Sequence, residues 1–576
     1  MLAFLDDCYT LGHADKCIQA VPEFWADCAT IGLQDVPHKG MVYSRNAEAA
    51  ARVAAALGYQ DCSQSGIRVV GTPVGKDAWV RQECARDGAS ACELVDMVME
   101  LPGLPKQQQL LLLRKSVQQK LRHLPRTVAW QHVAVATKSV EDKVQDAVLG
   151  IMGVAADQVS EAAQLQMSLP MRHGGLDLPK QTPAKALAAY LACAAQSDAA
   201  LQDAPQLLRI FEGVRGAQLE QQWGELVRAV DGVPDSDDFK EQSACLWKEA
   251  ERAPTQQVIR DVMPRAQREV SRRHADAERE RLMAMHDTED PFSTAGAQAA
   301  ARIRSCSGGA ASAFLEALPT THDLRIANSA MAWELRLRLG IQIMPLNNAG
   351  RRCACGAALR GAQDADHALV CDKQSGVRTL RHDNLNKVWC GVARCAGVAS
   401  AVEPKLRMLQ MQPGVRRHEE AREDARGDAL LAMSDGMLVI DVNVVHAPAQ
   451  KYVEGTVLRG SSSAVDGAAA AMAEDNKASE YRHDVDGGAY AWEPVVMESC
   501  GRLGKGAMRV LNRLALVAAE SDGVEKHVFV QRAQQVLSVA RVRGNSLIWK
   551  GGLHAMAHGG GRCFQAGLAR PTDDVG

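Results

Sequence analysis

At 576 residues the chain exceeds what one hydrophobic core holds together, so several domains are expected, and its 47% hydrophobic share is enough to build them. Aromatic residues make up only 4% and the formal net charge is −3, which excludes a global pull on nucleic acid and leaves that task to local basic patches. The 16 cysteines show no paired framework, the apolar start runs straight into Asp6 and Asp7, and no long uncharged apolar run occurs; these argue against secretion and a membrane span and for a thiol-reduced protein of the nucleus or cytoplasm.

Residues 1–85 alternate short apolar runs with turns, an α/β pattern. Phe4-Leu5-Asp6-Asp7-Cys8-Tyr9 suits a β-hairpin with both carboxylates at its turn. Adjacent aspartates placed so can hold the two divalent metals that bridge a primer hydroxyl and an incoming triphosphate. Ile31-Gly32-Leu33, Lys39 and Val42-Tyr43-Ser44 follow, and Ile67 to Gly75 reads as a second hairpin. Residues 86–345 are helical in pattern, with Lys106, Arg114, Lys115, Lys120 and Arg122 gathered among leucines and a solvated Arg/Glu-rich helix at 260–281. Arg302, Arg304, Arg336 and Arg338 lie on helices, where they either track a phosphate backbone or form a solvated face. Pro345 to Gly350 breaks the helical pattern and marks a boundary.

Cys353, Cys355, His367 and Cys371 then follow the spacing C-x-C-x11-H-x3-C, four soft ligands suited to a tetrahedral structural Zn²⁺. Arg351, Arg352, Lys373, Arg378 and Arg381 surround them, a basic patch that makes Arg378, Arg381 and His382 expected nucleic-acid contacts; His382 is also an alternative ligand. From 386 the pattern turns mixed, and Met437 to Val445 is a strong β candidate. It carries Asp441 among aliphatics, where a carboxylate is costly without a partner or a metal. Asp428 stands twelve intervening residues upstream, a gap that a hairpin closes. Lys477 and Tyr481 have K-x3-Y spacing, one helical turn apart. Two carboxylates and a lysine are what a metal-dependent phosphodiesterase needs: the acids hold Mg²⁺ and the lysine orients or deprotonates water. The Ser/Ala/Gly-rich stretch 460–473 is expected to be a flexible insertion, and 507–518 a core helix.

The order Asp6-Asp7, Lys39, Ile67 to Gly75 resembles the palm of non-LTR (LINE-like) retrotransposon reverse transcriptases. Leu169-Pro170-Met171-Arg172-His173-Gly174-Gly175-Leu176-Asp177-Leu178 resembles the signature those proteins carry beyond the thumb. The resemblance covers most of the chain. It implies that Lys39 lies near the triphosphate, that 67–75 is the primer grip and that the Cys/His segment is a zinc knuckle. Asp428, Asp441, Lys477 and Tyr481 resemble the PD-(D/E)xK restriction-like endonuclease of one branch, in which the lysine has moved onto a helix. Asn443 stands where D-x-K would put it, Gly427 replaces the usual proline, and Glu403 is an additional acid. Trp492 to Glu498 and Gly501 to Gly504 resemble that domain's closing strand and helix.

The implied fold is multi-domain, α/β and all-α. It reads as a partial palm at 1–85, a helical thumb at 86–230, a helical connector at 231–345, a zinc knuckle at 346–385, a PD-(D/E)xK-like α/β nuclease at 386–550 and a disordered tail at 551–576. The family's third palm aspartate would precede Asp6, so this chain is expected to be a C-terminal part that does not polymerise DNA alone. Its missing polymerase half would be encoded upstream if Met1 is not the true start. The implied activity is nicking of a DNA target, whose freed 3′ hydroxyl primes copying of an RNA template. The alternative is a catalytically dead, nucleic-acid-binding remnant.

Overall fold

The computed structural model describes residues 2–4, 7–202, 225–226, 263–287, 294–342, 355, 357, 364–405, 427–485 and 490–557. The chain is mixed α/β and mostly helical, with small sheets. It opens with an antiparallel hairpin, β1 (Leu2–Phe4) and β2 (Asp7–Tyr9), in which Phe4 faces Asp7. Helix α1 (Ala14–Ala29) follows, then the parallel pair β3 (Met41–Val42) and β4 (Gln60–Asp61), joined through α2 (Ala47–Leu57). The side chain of Asn46 accepts the Ala49 amide and so caps the first turn of α2. Next come the paired strands β5 (Gly66–Val69) and β6 (Thr72–Gly75). Their two-residue turn, Val70 at φ 48° and Gly71 at φ 78°, has the double positive φ of a type I′ hairpin. Glycine adopts it freely; Val70, being β-branched, does so against its preference. Tyr9 Oη accepts the Val70 amide at 3.0 Å and ties the two hairpins together.

Long helices then dominate: α3 (Asp77–Glu100), α4 (Lys106–Lys115), α5 (Trp130–Met152), α6 (Glu161–Ser168), α7 (Pro183–Gln202), α8 (Ala266–Ala284), α9 (Thr294–Cys306) and α10 (Asn328–Leu339). Alanine, leucine, glutamine and arginine, all good helix formers, supply most of their length. Contacts divide the chain into two compact units, neither contiguous: 1–97 with 115–144 and 180–277, and 98–114 with 145–179 and 278–576.

Arginines expected to track a phosphate backbone or form a solvated face instead brace the second unit from within. Arg338 is 0% exposed and donates to the carbonyls of Gly175, Cys306 and Ala311. Arg336 donates to Met152 O and Gly153 O, and Arg302 is 6% exposed. These long side chains satisfy carbonyls left over at helix ends and loops, and for Arg338 and Arg302 burial makes them inaccessible to nucleic acid.

Helices α11 (Asp364–Val370) and α12 (Ser375–Cys395) lead into a four-stranded sheet. Its strands are β7 (Ala399–Val402), β8 (Ala429–Met433), β9 (Gly436–Val445) and, after α13 (Ala468–Val485), β10 (Tyr490–Glu498), in the order β10-β9-β8-β7. The first three form an antiparallel meander, and β10 runs parallel to β9. Helices α14 (Lys505–Asp522) and α15 (Lys526–Ala557) complete the chain. On one face of the sheet, Trp389 of α12, Leu511 of α14 and Leu537 of α15 share a core with Leu431, Ile440 and Val442. On the other face Ala469, Ala470 and Ala473 of α13 pack on Val445 and Val496. Side chains alternate along a strand, so Asp441 falls on the α13 face beside Val445's position.

Three expectations change here. The stretch 460–473 is not a flexible insertion: Ser462 is 3% exposed and donates to Ala447 O, and α13 starts within it. The boundary drawn at 385 cuts through α12, whose Arg381 and Leu385 are both buried. Residues 551–557 belong to α15 and not to the expected tail; 558–576 lie outside the described residues, as does the boundary segment at 346–350. Among the described residues no helix is long and apolar enough to cross a membrane.

Candidate functional site

The β8–β9 hairpin sets the central geometry. Ala429 pairs with Ile440, so one step further out Asp428 stands beside Asp441. Asp428 Oδ2 accepts the Val442 amide at 2.7 Å and lies 3.1 Å from His382 Nε2. That same imidazole nitrogen is 2.9 Å from Val442 O, so His382 of α12 bridges the carboxylate and the strand. The amide of Glu403, itself at φ 50°, donates to Asp428 O at 2.9 Å and fixes the end of β7 against this residue. From α13, Lys477 places Nζ 3.1 Å from Asp441 Oδ2. Ala473 is buried on the sheet-facing side of that helix, and four residues later Lys477 returns to the same side.

The two carboxyls titrate in opposite directions. Burial pushes Asp441 up to about 6, with the nearby Asp428 charge adding to it and Lys477 opposing. Burial acts on Asp428 too, but the hydrogen bond and charge of His382 outweigh it and hold this carboxyl below its ordinary value. The hydrogen bond to Asp428 in turn carries His382 up to about 9. A strained acid beside a stable one, each with a basic neighbour, is a pattern that clefts doing acid–base or metal chemistry share.

The residues fit a divalent cation on one specific ground. Asp441 is 7% exposed, and the ion pair with Lys477 at 3.1 Å is the one close cationic partner of its buried Oδ2 among the described residues. A costly oxygen with lone pairs to give, next to a second carboxylate, suits a hard cation.

A second constellation lies at α11. Ligand atoms of Cys355, His367 and Cys371 all fall within 4.8 Å of one another, and Cys355 Sγ is 3.1 Å from His367 Nε2. His367 and Cys371 are four residues apart across the end of α11, where the Cys371 amide donates to His367 O, so both side chains project from one side. These three could hold a metal ion; Cys353 lies outside the described residues.

The remaining expected site residues divide. Asp6 is outside the described residues, and Asp7 opens β2 with its side chain undescribed. Lys39 is exposed in a short 3₁₀ turn. Tyr481 lies one turn beyond Lys477 in α13, its side chain undescribed. Arg378 donates to Val370 O at 3.0 Å and stays partly exposed beside the Cys/His group. Arg381, expected to contact nucleic acid, is 5% exposed and donates to Asn545 Oδ1 at 2.9 Å, so it serves the α12–α15 packing instead. His382 is likewise drawn away from the basic patch to Asp428, a role the sequence reading missed. A signal for it existed: Leu385 and Trp389 continue its helical stripe toward the core. The chain matches no protein-family model, and no curated protein matches it.

Proposed function

We propose that the sheet domain is a Mg²⁺-dependent, restriction-like endonuclease within a chain of non-LTR retrotransposon reverse-transcriptase descent. The observation carrying this reading is the convergence of Asp428, Asp441 and Lys477 at the open end of a β8–β9 hairpin, within an α-β-β-β-α-β order whose last strand is parallel to β9. Asp428 and Asp441 would hold the cation. When bound, Mg²⁺ would supply the positive charge that a phosphodiester needs as negative charge develops on its oxygens. Lys477 orients water toward the phosphorus. His382 holds Asp428 in place through its Nε2 contact at 3.1 Å.

The two hairpins β1–β2 and β5–β6, tied by Tyr9, support the reading of descent. DNA is the proposed target and RNA the proposed template. The Cys/His group is proposed as a structural Zn²⁺ knuckle. The dead-remnant alternative draws support from His382 and Lys477, which already neutralise both carboxylates.

The test is nicking of supercoiled plasmid by the full chain with Mg²⁺. Asp441→Ala is expected to lower the rate at least ~100-fold. Nicking that survives Asp441→Ala sinks the assignment, and its absence in the unaltered chain favours the remnant.

A further inference from the structure

In the second unit, away from the sheet, α6, α9 and the end of α10 line a half-open cavity of about 110 Å³. Its lining is mostly small and apolar, but Arg302, His286 and Gln166 face it. Arg302 is 6% exposed. Its guanidinium donates to Gln166 Oε1 at 3.2 Å and to Arg338 O, both neutral acceptors, and no carboxylate among the described residues pairs with it. The acids close by are engaged elsewhere: Glu161 of α6 with Arg281 at 2.5 Å, and the buried Glu334 with Arg541 at 2.6 Å. Among the described residues no carboxylate balances this buried guanidinium, which stands beside an open volume, an arrangement that is costly unless an anion completes it.

The rest of the lining has the same polarity. Ser160 Oγ accepts the Ala163 amide, which leaves the first two amides of α6 without helical partners, and Ala162 lines the cavity. His286 reaches the cavity from beyond α8, and burial together with the Arg302 charge disfavours its protonated form. An anion between the two would relieve that repulsion.

We propose that this cavity binds a phosphate-sized oxyanion, either inorganic phosphate or the phosphoryl end of a small monoester, with Arg302 as its charge partner and His286 and the α6 first turn as neutral donors. The volume accommodates a tetrahedral oxyanion. Arg302 offers the planar fork that such oxygens match.

Equilibrium dialysis of the full chain against radiolabelled inorganic phosphate, and separately against glycerol phosphate, tests it. Saturable binding of either supports the proposal, and the tighter one identifies the source. Arg302→Gln is expected to weaken binding at least about tenfold, the loss of one charge-assisted partner. Ala299→Leu fills the cavity while leaving Arg302 in place, so it decides the matter should Arg302→Gln fail to fold; the same weakening is expected. Absence of saturable binding, or equal affinity in the unaltered chain and Ala299→Leu, overturns the proposal.

Discussion

His446 shows how much a single residue's surroundings decide. It lies one residue beyond β9, 7% exposed, with Nδ1 2.7 Å from Ser499 Oγ. Burial, with help from the Arg381 charge, holds its pKa down to about 3. The unfolded chain takes up this proton near its ordinary value of about 6.5, whereas the folded chain does not until about 3, so stability falls as pH drops across that window. Urea denaturation midpoints should therefore fall between neutrality and about pH 5, and fall less in His446→Asn, which cannot take up the proton. Equal losses in both proteins would show that other groups govern the acid response. Asp428 and Asp441 make the complementary point. Their identity and hairpin spacing were legible, yet their opposite titration depends on which one His382 reaches, and no local pattern encodes that.

Among elements, β9 and β10 hold the site by direct contact with α14. A Cβ built at Gly506 would lie 2.0 Å from Pro494 O, and Pro494 pairs with Asp441 across the parallel strands. Gly506→Ala gains helix propensity of ~1 kcal/mol but forces α14 off the strand, a strain of about 1–3 kcal/mol. Net destabilisation in chemical denaturation is expected, together with a loss of nicking larger than the stability change alone explains. The α11 group offers a separate test. Cys371→Ser should release one equivalent of metal from the purified chain, measured by atomic emission, while Mg²⁺-dependent nicking is retained; unchanged metal content would remove the knuckle assignment. The strand at 437–445 and the helix at 507–518 could be read in advance, because period-2 and period-3.6 patterning are local. The order within 460–473 could not, because Ser462 bonds to Ala447 just beyond β9 and Ala469 packs on Val445 of β9 and Val496 of β10.

For the molecule as a whole, the discontinuous second unit changes what counts as a domain. Gln107, in the stretch 98–114, donates to Ala317 O and Leu324 O, and Gln166 donates to Arg338 O. The Arg541–Glu334 pair, 0% and 1% exposed, joins α15 to α10 across the boundary drawn at 345. Glu334→Ala leaves a buried cation without its partner and is expected to cost about 3–5 kcal/mol, measured by chemical denaturation. An excised 346–550 fragment loses Glu334 altogether, so it should fail to give a sharp unfolding transition where the full chain does. A cooperative fragment would show that this pair is dispensable.

From sequence alone came the helical middle, the two N-terminal hairpins, the Cys/His cluster and the paired aspartates with a lysine downstream. Each is written in spacing over a few to about twenty residues, the range over which turn chemistry, periodicity and ligand geometry act. Tertiary structure alone decided that His382 belongs to Asp428, that Arg381 is spent on Asn545, and that Arg302 faces a cavity with no acid in its lining among the described residues. The first two contacts join residues 46 and 164 positions apart. At such separations the partner is chosen by how sheets and helices close on one another.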